Sequence, residues 1–153
     1  MRSRYRSDLF SEPDQKIEEI SGAMKLLNSL YKIISESANG SGHDYNLALN
    51  ADHFIYKAHF PGEPITPGVC IMQIAVELLS LHCGQTLAID TVKNIKFLKI
   101  ISPVQNPDVC FSIGKVEVGD SQAETGNAQV KAQVTVTGGG ETFAKLSLIC
   151  EAI

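Results

Sequence analysis

A chain of 153 residues suits one domain, long enough to remove about two-thirds of its unfolded surface from water. Its composition is ordinary, 44% hydrophobic and 20% charged with no tryptophan. A formal net charge of −4 argues against nucleic acid as a partner, because phosphate binding needs a basic face, and leaves small molecules and other proteins.

The four cysteines, Cys70, Cys83, Cys110 and Cys150, are scattered singly, with no CxxC pair and no Cys/His cluster at zinc spacing. Cys70, Cys83 and Cys150 sit in apolar surroundings and read as buried thiols. Arg2, Arg4 and Arg6 are followed by no apolar run, so no signal peptide is expected. No apolar stretch reaches the ~20 residues of a membrane span. A reducing, cytoplasmic setting is the expectation.

Residues 1–14 are polar and read as loose. Over 15–30, Ile17, Ile20, Met24, Leu27 and Leu30 recur at helical spacing, with Gly22 weakening that helix. Residues 1–23 are read as an N-terminal extension and 24–153 as a single domain. Residues 31–37 read as a strand, 39–42 (NGSG) as a turn, and 44–50 as a second strand.

Then comes YKAHFPGEPITPGVCIMQIAVELL, residues 56–79, in which a histidine, a Pro/Gly turn and an apolar segment follow one another. Thr66-Pro67-Gly68 marks a helix start, with Thr66 as cap and Pro67 at the first helical position. The helix is expected over 68–83, stopped by Gly84. It is apolar nearly all round, which implies cover nearly all round. Its polar residues Gln73, Glu77 and Ser80 form one narrow stripe, expected to face a subunit interface, a cavity or water, since a buried polar group costs free energy unless paired.

Past Gly84 the chain turns β-rich, with strands expected over 91–100, 109–118, 128–137 and 142–152. Gly138-Gly139-Gly140 signals a tight hairpin between the last two. Short links imply a largely antiparallel sheet, and alternation implies one buried face. A curved sheet wrapped around one long central helix satisfies these patterns, an α+β fold.

The focal stretch also carries chemistry. Gly68 has no side chain to obstruct its backbone N–H, an unpaired donor at the positive end of the helix. Such a donor suits a developing oxyanion. Pro61 and Pro64 stiffen the turn that fixes His59 near the helix entrance, and histidine is the side chain best matched to proton transfer near pH 7. Read alone, such a histidine is more often structural or incidental than catalytic, the apolar helix is by default plain core, and Gln73 is equally a hydrogen-bonded core amide.

HFPGEPITPGV followed by an apolar helix resembles the HFPGxPxxPGV signature of the hotdog-fold β-hydroxyacyl-acyl-carrier-protein dehydratases. His59, Phe60, Pro61, Gly62, Pro64, Pro67, Gly68 and Val69 match in register. NIKFLKIISPV (94–104) and AKLSLICEA (144–152) resemble later strands of that family, so that residues 25–152 are covered. The resemblance implies a hotdog domain and a hydro-lyase of fatty acid or related lipid biosynthesis. The expected substrate is a thioester of acyl carrier protein or coenzyme A, with neither cofactor nor metal. It implies a homodimer or a trimer of dimers, in which a histidine and a carboxylate from two subunits share one site. His59 would take the α-proton, the Gly68 N–H would hold the enolate-like oxygen, and Phe60 and Val69 would line the substrate site. Lys96 and Lys99 are candidates for docking an acidic carrier.

The chain departs from the family at the carboxylate, whose place is taken by Gln73, and at Ala58, where the family usually has glycine. Glutamine hydrogen-bonds a hydroxyl but exchanges no proton at neutral pH. Glu77, one turn on and ~6 Å along the axis, is a secondary candidate that would act through water. Three readings stand at this point: a dehydratase of reduced activity relying on His59, a non-catalytic acyl-thioester-binding or heteromeric partner protein, and a thioesterase on the same fold.

Overall fold

The computed structural model describes residues 26–119 and 128–153. Strand β1 (Tyr31–Asn39) and strand β2 (Gly42–Leu49) form a hairpin. A short helix α1 (Ile55–Ala58) and the 16-residue helix α2 (Gly68–Cys83) follow. The remaining strands are β3 (Leu87–Phe97), β4 (Asp108–Ile113), β5 (Glu117–Gly119), β6 (Gln129–Gly138) and β7 (Glu141–Ala152). All pair antiparallel in one sheet of order β1-β2-β4-β6-β7-β3, with β5 added against β6.

The inner strands carry the expected alternation. In β6, Val130, Ala132, Val134 and Val136 are buried while Lys131 and Gln133 face out. In β4, Val109, Phe111 and Ile113 are buried. These residues join Ile71, Ile74, Ala75, Leu78 and Leu79 of α2 in one apolar cluster, so the helix packs its apolar side into the core that the sheet supplies. Each large side chain so buried contributes about 1.5–3 kcal/mol. Gly139 and Gly140, with φ of 58° and 80°, turn the β6–β7 hairpin in the left-handed conformation that the three-glycine run anticipates. The sheet's last strand differs. Of β3 only Leu87 is buried, and among the described residues β3 pairs only with β7.

Several expectations need correction. The strand expected over 109–118 is two strands. Residues 114–116 stand opposite only 132–133 of β6, so one residue is in excess and the strand bends there. The strand expected over 91–100 begins at Leu87 and ends at Phe97. Thr66 caps nothing: α2 has Pro67 at its N-cap with no side-chain cap bond, and the Thr66 hydroxyl meets the Tyr56 hydroxyl at 2.9 Å inside the protein. Gly84, with φ 69°, does end the helix. Most of the helix expected over 15–30 lies outside the described residues, and its last part, 26–30, is a turn with Asn28 at φ 66°. Helix α1 was not anticipated.

Candidate functional site

The segment HFPGEP is a small hydrogen-bonded unit. His59 is the C-cap of α1, its N–H donating to Ile55 O at 3.0 Å. Phe60 and Glu63 exchange backbone bonds of 3.2 and 3.0 Å, and Ile65 N–H returns to His59 O at 2.7 Å. Five residues, 60–64, two of them prolines, are bracketed by three backbone bonds, which leaves the turn little freedom. The residue after Ile65 is tied to the segment that follows β3, Thr66 N–H to Ile101 O at 2.9 Å. His59 and Phe60 are both exposed, with ring centroids 5.4 Å apart.

Gly68 opens α2 directly after this unit. As a first-turn residue its N–H has no intrahelical acceptor, and none meets it among the described residues. Its lack of a side chain gives Phe97 its place: a Cβ there would lie 2.8 Å from Cζ of Phe97 and 3.1 Å from Cε2, and the ring would have to shift. Phe97, 51% exposed, lies across the helix start. Between them opens a cavity of about 340 Å³ lined by Thr66, Gly68, Ile71, Phe97, Leu98 and Ile100, among others. That is the size and apolar character of a small-ligand pocket. His59 does not line it. Val69, next to Gly68, is 71% exposed, and Met72 and Gln73 on the same helix face are half-buried.

The polar stripe turns inward. Glu77 is 1% exposed. Its Oε1 accepts from Leu27 N–H at 2.8 Å and from the Tyr31 hydroxyl at 3.0 Å. Its Oε2 accepts from Leu26 N–H at 3.1 Å and Gln73 Nε2 at 2.8 Å. Ser80, also buried, donates to Val76 O and accepts from Leu87 N–H. Glu77 and Ser80 therefore face the chain's own 26–31 segment and the start of β3, and only Gln73 sits at the margin. Burial holds the Tyr31 hydroxyl well above its usual range, and the neighbouring Glu77 carboxylate raises it further, so Tyr31 stays a neutral donor.

The chain's own 26–31 segment and Phe97 are absent from the motif reading because each meets α2 from far away in sequence. The one local signal is the apolar pair Phe97-Leu98 before a proline turn, more exposed than a core strand should be. All four cysteines are unpaired thiols, Cys70 and Cys150 buried and Cys83 and Cys110 half-buried. Burial pushes the Cys150 thiol up to about 11. Among the described residues no helix is long and apolar enough to cross a membrane.

Residues 35–136 match the family model of ApeI-like proteins, described as ApeI dehydratase. The 3-hydroxyacyl-acyl-carrier-protein dehydratase FabZ of Latilactobacillus sakei is 30% identical over 113 residues, 69% of this chain and 74% of that protein. Among solved structures, the dehydratase heterocomplex ApeI:P from Xenorhabdus doucetiae superposes with a TM-score of 0.50 at 12% identity, covering 78% of this chain and 96% of that one. An uncharacterized protein from Pyrococcus horikoshii gives 0.57 at 10% identity, over 93% and 95%. At such identities the two structures speak for the fold alone. The family model spans two thirds of the sequence, and the Latilactobacillus sakei relative is matched over most of its length: the chain belongs to the ApeI-like dehydratase family.

Proposed function

We propose that this protein is a hydro-lyase on 3-hydroxyacyl thioesters of acyl carrier protein or coenzyme A, in fatty acid or related lipid biosynthesis, working in the cytoplasm. The observation that carries the reading is the unpaired Gly68 N–H at the start of a buried helix, reached through a rigid turn that begins at His59 and flanked by an apolar cavity. An exposed imidazole takes the proton on C2, and the electron pair moves onto the thioester oxygen, where the Gly68 N–H meets it. Collapse of that enolate forms the C2–C3 double bond and breaks the C3–O bond. The departing hydroxyl needs a proton. Gln73 has none to give at neutral pH, so protonated His59 returns it, and water leaves. Phe60 and Val69, both exposed and apolar, serve as walls for the acyl chain.

We further propose that the sheet curves round α2 as a hotdog domain and that a second copy completes the site, singly or as a trimer of dimers. The edge strand β3 leaves its outer side unpaired among the described residues, and Val69, Phe97, Leu98 and Ile100 are exposed together near it and the helix start. Sedimentation showing only monomer at micromolar concentration would count against this.

A second reading rests on the resemblance. It places Gln73 where the dehydratases carry their acid, and loss of a general acid costs about 10²–10⁴ in rate. The protein would then bind acyl thioesters and pair with a catalytic hotdog partner. The deciding experiment is incubation with a 3-hydroxyacyl carrier protein, following enoyl product and free acid together. Enoyl product that disappears in His59→Ala supports the lyase. Free acid would point to a thioesterase, and binding without either product to the partner role.

A further inference from the structure

The turn that begins at His59 has no anchor of its own in the core. No side chain from Lys57 to Ile65 is buried. Among the described residues, the hydrogen bonds of that segment stay within 54–65. What ties it down lies at its two ends. Tyr56, in α1, and Thr66, directly before the Pro67 that caps α2, are both buried. Their hydroxyls meet at 2.9 Å, one donating to the other, and close the segment on its inner side. Thr66 N–H adds its bond to Ile101 O. Burial pushes the Tyr56 hydroxyl up to about 12, so it keeps its proton and the pair holds at neutral pH. Two apolar residues of the same shapes would cost the fold little, because replacing both partners of a buried hydrogen bond is nearly neutral. What the hydroxyl pair supplies beyond packing is a fixed distance and direction between the two ends.

We infer that Tyr56 and Thr66 are positioning residues that hold the His59 imidazole in register with the Gly68 N–H. The two groups stand on different elements, His59 at the end of α1 and Gly68 at the start of α2. In the reaction proposed above they act together on one thioester, so their separation must be set before the substrate arrives. Thr66 lines the cavity beside Gly68 and Tyr56 does not, which makes Tyr56 the link from that cavity back to the element bearing His59. This role rests on the function proposed above and deepens it.

Steady-state kinetics with a 3-hydroxyacyl pantetheine thioester, and amide hydrogen exchange, test this in the full chain. Tyr56→Phe keeps the ring in the core and removes the hydroxyl. Its kcat is expected to fall about ten-fold with KM nearly unchanged, within the 10²-fold that a misplacement of about 1 Å can cost. Thr66→Val lowers kcat likewise, and Thr66→Ser, which keeps the hydroxyl, retains the parent value. The double variant Tyr56→Phe/Thr66→Val separates positioning from stability. With both hydroxyls gone neither is orphaned, so the melting temperature returns toward the parent's while kcat stays low. Independently of turnover, the Ile65 N–H, which donates to His59 O, exchanges about five-fold faster in Tyr56→Phe, the worth of one ordinary hydrogen bond, with the amides of β6 unchanged. Parental kcat in a folded Tyr56→Phe, a double variant that regains kcat along with stability, or an Ile65 N–H unmoved by the substitution overturns this inference alone. A parent chain that forms no enoyl product overturns the proposed function, and the Ile65 exchange then decides whether the pair holds the turn.

Discussion

The two halves of α2 have the same composition to the eye and opposite situations. From Ile74 to Ser80 every residue is buried, including one carboxylate and one hydroxyl, and each polar atom of those two has a partner within the chain. From Gly68 to Gln73 the helix has an unpaired N–H, an exposed valine, a half-buried methionine and an amide held from one side only. One half is finished by the fold and the other is left for something else. Buried polar groups are conventionally read as functional when they lack partners, and here that criterion separates Glu77 from Gln73 although they are neighbours on one stripe. Each prediction below tries to break that division or to sharpen it.

The largest effect belongs to the open side. His59→Ala is expected to lower the rate of enoyl-thioester formation by about 10²–10⁴, with melting temperature unchanged, because the side chain is exposed and supports no core residue. Full activity in that variant would remove the imidazole from the mechanism.

Next is the closed half. Leu78 is 0% exposed, and Leu78→Ala is expected to destabilise the protein by about 2–5 kcal/mol. Denaturant titration measures this. Turnover per folded molecule should hold, since Leu78 does not line the cavity at the helix start. A large loss of turnover in the fully folded variant would mean the two halves are not separable.

How much of this division was legible in the sequence turns on particular residues. The 68–83 helix, its stop at Gly84 and the β6–β7 hairpin were readable because each depends on local chemistry: apolar spacing, a left-handed glycine, a three-glycine turn. The stripe of Gln73, Glu77 and Ser80 was readable as spacing but not as direction. Its partners are the backbone of Leu26 and Leu27, the Tyr31 hydroxyl and the start of β3, and no local pattern announces a backbone N–H some fifty positions away. Thr66 misled for the same reason, since a threonine before Pro-Gly signals a cap unless a distant tyrosine claims its hydroxyl. At the candidate site, the motif singled out Gly68 for its N–H; that its missing Cβ also makes room for Phe97 could come only from the tertiary structure.

Smaller, and on the boundary itself, is Gln73→Glu. The introduced carboxyl would stand against Glu77 at the place of a 2.8 Å contact. A like charge that close holds a carboxyl above its usual range, so it keeps its proton and becomes an acid for the departing hydroxyl. Dehydration should rise by up to about 10², most at the acid end of the pH–rate profile, with the gain shrinking as pH rises and the introduced group ionises. A fall in rate at every pH would show that the amide has a role a carboxylate cannot take.

The smallest effect is at the far end of the closed half. His82, in the last turn of α2, is exposed overall, yet its ring packs beside His43 with centroids 5.3 Å apart. Burial of the ring lowers its pKa first, the neighbouring His43 lowers it further, and Glu36 opposes both. A histidine whose folded pKa lies below its unfolded value, about 6.5, favours the folded state while neutral. That contribution is present above pH about 6.5 and is lost as pH falls toward the folded value, because the unfolded chain then binds the proton more readily. His53, lowered by burial as well, adds to the same acid limb. Thermal melts from neutral to mildly acid pH should show stability falling, and His82→Gln should flatten part of that slope while leaving the neutral melting temperature nearly unchanged. An unaltered slope would place the acid sensitivity elsewhere and leave the closed half of the helix indifferent to pH.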